Sequence, residues 1–268
     1  MNILILGDVM GLSGRMIVKK NLSNILKKNS INFSILNGEN AADDGRGITK
    51  NIAEDFFSQG IDVITSGNHI WDKEEITNYI DTEKRLLRPA NLAEGSPGRG
   101  FGIFKIKDSN YKIGVINLMG NVFMKKTDDV FVTAKEISKK IILKKNVDFS
   151  IVDFHGEITS EKNAIAHFFD GESTCVVGTH THIPTADTRI LNKGTAFQTD
   201  IGMCGDYNSV IGMNKENSLK KFLKEKEALK NFPSDGEGTL SGVIVEADKI
   251  TGLAKNIKRL IIGGALRG

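Results

Sequence analysis

The sequence predicts an α/β protein, on three observations. Short apolar runs of strand length alternate with helical patterns through the first half of the chain, the rhythm of βαβ units. The second half changes to hairpin-like spacing, which predicts more antiparallel pairing there. Polar residues able to do chemistry, most with glycine beside them, follow several of the apolar runs. That is where an open α/β sheet keeps its site, at the carboxyl ends of its strands.

The elements follow in order. Ile3–Leu6 reads as the first strand and Lys19–Lys28 as an amphipathic helix. Phe33–Leu36 is a second strand, Ala53–Gln59 a second helix, and Val63–Thr65 a third strand. Lys73–Tyr79 opens a third helix. Arg88 to Gly102 is rich in Pro and Gly and reads as a loop. Gly102–Ile106 and Lys112–Leu118 suggest paired strands, followed by a helix at Thr133–Leu143 and a strand at Phe149–Phe154. Glu161–Phe169 reads as a helix and Thr174–Val177 as a strand. Between Thr185 and Ile262, hairpin-like strands surround one charged helix near Ser218–Lys230, and Gly242–Glu246 and Ala254–Ile261 close the fold. No linker, repeat or low-complexity tract intervenes. The expectation is one domain over residues 1–262 and a loose tail over 263–268.

Composition bounds the function. The chain has 268 residues, 40% hydrophobic and 26% charged, as expected of an ordinary soluble globular protein. A net charge of +3 is weak, and the lysine-rich pieces, such as Lys139-Lys140 and Lys220 to Lys230, read as solvated helix faces rather than a nucleic-acid groove. With only 2 cysteines and no CxxC spacing, neither a thiolate zinc site nor a disulfide framework is expected. A reducing cytoplasm fits. The N-terminal Met1–Asp8 stretch lacks the basic region and long apolar core of a signal peptide. No run approaches the ~20 apolar residues of a membrane span.

The most informative feature is the histidine placement. Of 5 histidines, two stand one residue apart in Gly178-Thr179-His180-Thr181-His182. A third is in Asp153-Phe154-His155-Gly156 and a fourth in Gly67-Asn68-His69. Each segment follows an apolar run, a position that suits metal ligands better than core filling. His167, inside a presumed helix, reads as structural. Gly7-Asp8 ends the first strand and Asn37-Gly38-Glu39-Asn40 ends the second. Gly11 and Gly14 lack the spacing of a phosphate loop, although backbone N–H groups there could approach a phosphate. The metal-capable side chains Asp8, Glu39, Asn40, Asn68, His69, His155, His180 and His182 are too many for one tetrahedral zinc. They suit two ions sharing a carboxylate. Nitrogen and oxygen donors without sulfur favour iron, manganese or zinc. Such a pair acidifies water and clamps phosphoryl oxygens, and a nearby protonated His can supply the proton a leaving alkoxide needs.

This motif order resembles that of the calcineurin-like metallophosphoesterases. Two departures single out a branch. The superfamily usually opens Asp-x-His, whereas position 10 is Met10. Its bridging carboxylate is usually Asp, whereas Asn37-Gly38-Glu39-Asn40-Ala41-Ala42 offers Glu39. With Gly178–Thr185 and Thr199-Asp200-Ile201-Gly202-Met203, these look like the bacterial YmdB-like family over nearly the whole chain. The resemblance implies a four-layer αββα sandwich of two mixed sheets and a dinuclear site, often with iron. Asp8, Glu39, Asn40 and His182 would bind one ion, with Asn40 compensating for the histidine absent at position 10. Glu39, Asn68, His155 and His180 would bind the other, and His69 would be the general acid. It implies phosphodiesterase activity, including on 2′,3′-cyclic nucleotides. The expected partners are a phosphodiester or cyclic-nucleotide substrate, with RNA and self-association as further candidates, and no membrane. The competing reading is a metal- or nucleotide-binding regulator with little turnover. Arg99, in the Gly95–Gly102 loop, could close over a phosphate; a plain surface loop is the simpler reading. Asp200 reads as a loop residue or a support for the ligands.

Overall fold

The computed structural model describes residues 1–266. Two six-stranded sheets lie face to face with helices outside both. The first half supplies β1 (Asn2–Val9), α1 (Gly11–Lys28), β2 (Phe33–Asn37), α2 (Lys50–Ser58), β3 (Val63–Thr65) and α3 (Ile76–Thr82). Then come β4 (Phe101–Lys105), β5 (Lys112–Met119), α4 (Val130–Ser138), β6 (Phe149–His155), α5 (Thr159–Phe168) and β7 (Cys175–Thr179). The remainder is β8 (Arg189–Ile190), β9 (Ala196–Gln198), β10 (Met203–Asp206), α6 (Lys215–Phe222), β11 (Gly238–Ala247) and β12 (Ala254–Ile262). The first sheet has the order β12-β11-β10-β1-β2-β3 and the second β4-β5-β6-β7-β9-β8.

Alternation along β1 shows why there are four layers. Leu4 and Leu6 pack with Val18, Leu22, Ile25 and Phe56 from the helices. Ile3 and Ile5, on the opposite face, pack with Ile113, Val115, Phe149, Ile151 and Val177 of the other sheet. A strand apolar on both faces reads as a continuous run because both faces are buried. Val152, Phe154 and Val176 then meet Val130, Ala134, Ile137 and Ile165 on the outer side of the second sheet. The αββα sandwich is therefore present.

The parallel strands β1, β2 and β3, and β5, β6, β7 and β9, lie within separate sheets. The carboxyl ends of β1, β2 and β3 in one sheet and of β6 and β7 in the other deliver the residues described below.

Several boundaries differ from the sequence reading. Helix α1 starts at Gly11, not near Lys19. Its glycine-bearing first turns show no apolar stripe, yet the glycines are needed for close packing. A Cβ on Gly14 would fall 2.3 Å from the Cys204 carbonyl oxygen. The N–H groups of Gly11 and Gly14 are bonded to Asn40 O and Met10 O, so neither is free for a phosphate. Helix α4 begins at Val130, where the Asp129 carboxylate accepts from the N–H groups of Phe131 and Val132 at 2.9 Å. The charged helix is α6, ending at Phe222; the lysine-rich stretch beyond it is not helical. Strands β8, β9 and β10 are 2 to 4 residues long, too short for a period to show. Gly263 and Gly264 turn at φ 74° and 60° beside the start of β11; Arg267 and Gly268 of the expected tail lie outside the described residues. Cys175 and Cys204 are buried and free. Among the described residues no helix is long and apolar enough to cross a membrane.

Candidate active site

Asp8, Glu39, Asn40, Asn68, His155, His180 and His182 come together across the two sheets. Asp8 lies one residue before the end of β1, Glu39 and Asn40 follow β2, Asn68 and His69 follow β3, His155 ends β6, and His180 and His182 follow β7. Asp8, Glu39, Asn40, His155 and His182 are buried. Glu39, His155 and His180 each offer a donor atom within 4.8 Å of the others. The glycine at 67 lets β3's exit pass this crowd, since a Cβ there would lie 2.3 Å from both Glu39 Oε2 and His155 Nε2.

The donor atoms fit cations. Thr179 Oγ1 donates to Asp153 Oδ1 at 2.7 Å, so its lone pair is what His155 Nδ1 meets at 3.0 Å. As a neutral ring, His155 therefore carries its proton on Nδ1 and turns the Nε2 lone pair inward. That Nε2 lies 2.9 Å from Glu39 Oε1, 3.1 Å from Asn68 Oδ1 and 3.0 Å from His180 Nδ1. Four electron-rich atoms converge, and one proton cannot satisfy them; a metal ion can.

A second group repeats the pattern. His182 Nδ1 donates to Ile211 O at 2.8 Å, leaving Nε2 as a lone pair that faces Asn40 Oδ1 at 3.2 Å. The Asn40 amide is oriented by donating to Gly45 O at 2.8 Å. Two acceptors facing each other again call for a positive charge between them. Asp8 accepts the His180 N–H through Oδ2 at 3.0 Å, while its buried Oδ1 has no hydrogen-bond partner.

These groups also set one another's protonation. Burial pushes the Asp8 carboxyl up. Burial also opposes ionisation of Glu39, but adjacent His155 outweighs it and holds Glu39 low; burial likewise opposes a charged His155, and Glu39 holds it high. Burial, then His155, pushes His180 down to about 3. The proton that Glu39 draws to His155 Nε2 thus stands where a cation would take its place.

His180 and His182 adopt φ 97° and 68°, a region non-glycine residues enter sparingly. Asp200 makes this turn hold. It accepts from Thr181 N at 3.1 Å and Thr181 Oγ1 at 2.8 Å, and from Lys162 Nζ at 2.7 Å, with both partners of that pair 1% exposed. Asp200 is thus a support for the turn that carries His180 and His182. A second carboxylate, Asp187, braces the next turn by accepting from Thr185 and Thr199 hydroxyls and from Arg189, each at 2.6 Å. Burial raises its pKa, but these donors outweigh burial and lower it from 3.8 to about 2. A depressed carboxylate stabilises the fold above its unfolded pKa and loses that contribution as pH falls through the folded one. The stability gap between wild type and Asp187→Asn in urea unfolding is therefore expected to be full above pH ~4 and to close toward pH ~2.

His69 stands at the rim. Its N–H donates to Glu39 Oε2 at 3.1 Å, and its ring Nδ1 meets Asp72 Oδ2 at 2.8 Å. Lys125, from the loop after β5, lies 3.6 Å from Asp72 and donates to Asn68 O at 2.5 Å. The sequence reading missed Asp72, Lys125, Thr179, Asp153 and Lys162. Asp72 was findable, three residues after His69 in the same turn, and Thr179 lies within the His180 motif. Lys125, Lys162 and the Ile211 carbonyl carry no local signal. Met10 is buried apolar packing. His167 is exposed on α5. Arg99 is exposed and lines a separate cleft with Arg88, Asp128 and Glu136. Its loop is pinned by Arg88, which donates to Pro97 O at 2.9 Å and Ser96 O at 3.2 Å.

Comparison with known proteins agrees with this architecture. A Bacillus subtilis (strain 168) protein named 2′,3′-cyclic-nucleotide 2′-phosphodiesterase is 44% identical over 262 residues, 98% of this chain and 97% of that one. A crystal structure described as a novel phosphatase from Mycoplasma pneumoniae superposes with a TM-score of 0.90 at 37% identity, covering 98% of this chain and 93% of that one. A hypothetical protein from Thermus thermophilus superposes with a TM-score of 0.89 at 32% identity, covering 99% and 100%. The family model described as YmdB-like protein matches residues 4–260, and the chain belongs to that family.

Proposed function

We propose that this protein is a dinuclear metal-dependent phosphodiesterase acting on 2′,3′-cyclic nucleotides or related RNA-derived diesters, in the cytoplasm, through one domain spanning residues 1–262. The observation that carries the reading is the set of mutually facing acceptors around His155 Nε2 and between His182 and Asn40. The phosphodiesterase relative supports the substrate class. Asp8, Glu39, Asn40 and His182 would hold one ion, and Glu39, Asn68, His155 and His180 the other. Iron suits this mixed nitrogen and oxygen set, with manganese and zinc next. Two such ions, when bound, supply Lewis-acid stabilisation of phosphoryl charge and acidify a water molecule.

The chain's own residues complete the reaction. Asn40 and Asn68 present neutral oxygens, so ligand charge stays low enough for an anionic diester to approach. As water attacks phosphorus and the bond to the leaving alkoxide breaks, His69 gives that oxygen a proton. Asp72, bonded to His69 Nδ1, would leave Nε2 to serve the substrate. Diesters are favoured over monoesters because arginine is sparse near the cluster, whereas the extra charge of a monoester would call for more cations.

The test is elemental analysis of untagged protein with a diesterase assay on the same sample. About two ions per chain and faster cleavage of bis(p-nitrophenyl) phosphate than of p-nitrophenyl phosphate are expected. No metal and no cleavage after reconstitution with manganese or iron would end the proposal. Asp72→Asn is expected to lower kcat by roughly 10–100-fold, part of the ~10²–10⁴-fold a positioned acid contributes. Steady-state rates should show a larger loss for an alkoxide leaving group than for p-nitrophenolate, which needs less protonation; equal losses would point to a structural role for Asp72.

A further inference from the structure

Beside the histidine cluster lies a cavity of about 310 Å³, walled by Val210, Ile211 and Met213 of one turn, Lys221 and Phe222 of α6, and Asn231 of the returning chain. Its volume is at the lower end of small-molecule sites, ~300–1,000 Å³. We propose that this cavity seats the nucleobase of the substrate. The proposal rests on the phosphodiesterase reading and adds the part of the chain that would recognise the nucleoside.

Three observations carry it. The first is chemical. Asn231 Oδ1 is buried and has no hydrogen-bond partner. A buried acceptor left unpaired is unfavourable, and a rotation of the Asn231 amide would bring it to a donor seated in the cavity. Every common nucleobase presents an N–H edge between two apolar faces. The aliphatic walls match those faces, and Phe222, 77% exposed, leaves its ring free to stack on one of them.

The second is position. Ile211 both lines the cavity and supplies the carbonyl that accepts from His182 Nδ1 at 2.8 Å. One residue therefore both walls the cavity and touches a proposed metal ligand. A nucleotide joins its base to its phosphate through one ribose, so its two ends need neighbouring sites of this kind.

The third is construction. Ile211 has φ 47° and is 51% exposed. A β-branched residue in the left-handed region is strained and persists only where its surroundings enforce it. The surroundings are fastened. Val210 and Met213 exchange backbone bonds at 2.9 Å. Asn217 of α6 accepts from Leu229 N at 2.7 Å, and Asn214 N donates to Phe232 O at 3.0 Å. The cavity is thus a preformed pocket, and Lys221 at its wall suits an anionic ligand.

The experiment uses metal-loaded full-length protein and compares adenosine 2′,3′-cyclic phosphate with glycerol 1,2-cyclic phosphate, which has the same reacting group and no base. Phe222→Ala removes an exposed ring, and Asn231→Leu removes the acceptor. Each is expected to lower kcat/KM for the cyclic nucleotide about tenfold, through KM, and to leave the glycerol diester unchanged. A tenfold weaker binding of adenosine 3′-monophosphate by calorimetry should accompany it. Equal losses on both diesters, or none on either, would overturn the pocket. If wild type cleaves both diesters and the variants match it, the pocket falls and the phosphodiesterase reading stands. If wild type cleaves neither yet binds the mononucleotide in a Phe222-dependent way, the pocket stands and the catalytic reading falls.

Discussion

Replacing Glu39 by Gln is expected to reduce diester hydrolysis by at least ~10³-fold, within the range seen when a group essential to chemistry is removed, and to lower the metal content measured on the same sample. The physical reason is that Glu39 has two jobs in one buried place. Its Oε1 lies 2.9 Å from His155 Nε2, and its Oε2 accepts the His69 N–H at 3.1 Å. Gln keeps the shape and loses the charge. It would place an amide N–H or a neutral oxygen where the proposed sharing of two ions calls for a carboxylate. The fold should survive, because an amide is easier to bury than a carboxylate, so circular dichroism is expected to match wild type. A Glu39→Gln protein with full activity and about two ions per chain would remove the bridging assignment. The same variant separates the enzyme from a binding-only regulator: a binder with little turnover in the wild type would lose affinity while having no rate to lose.

The largest effect on stability is expected from Lys162→Met. Lys162 is 1% exposed and donates to Asp200 at 2.7 Å. Removing the lysine leaves a buried carboxylate beside Thr181 without its cation, and breaking a buried pair from one side costs roughly 3–5 kcal/mol. Thermal denaturation should show Tm lower by roughly 10 °C, given about 2–4 °C per kcal/mol for chains near this size. The consequence should reach the site, since Asp200 braces Thr181 between His180 and His182. Metal content after dialysis is therefore expected to fall even though Lys162 is no ligand. A Tm within about 2 °C of wild type, on the same ~2–4 °C per kcal/mol scale, would show that water or a rearranged Asp200 compensates.

Much of the site was legible because its residues are rare in type and punctuated by glycine. Asp8, Glu39, Asn68, His155, His180 and His182 each follow an apolar run, and their order matched a family whose model spans residues 4–260. The strands were legible for a related reason: Ile3–Leu6 and Phe149–Phe154 are buried on both faces, so apolar residues dominate both runs. Where burial depends on a close backbone approach, the pattern vanished. Gly14 sits against the Cys204 carbonyl, and the first turns of α1 therefore look like a loop.

By itself, then, the sequence determined the α/β class and marked the side chains proposed to bind metal, because burial and ligand chemistry are written in residue type; the four layers were legible only through the family resemblance. The tertiary structure alone decided how those side chains are held. The tautomer of His155 depends on Thr179 and Asp153, that of His182 on the carbonyl of Ile211, and the ligand turn on Asp200 and Lys162, 38 residues apart in the chain. The cavity proposed for the nucleobase is also a tertiary product, since Ile211, Phe222 and Asn231 meet only when the chain beyond α6 folds back. Contacts between distant segments follow from packing of the whole chain, and no local pattern of residues records them.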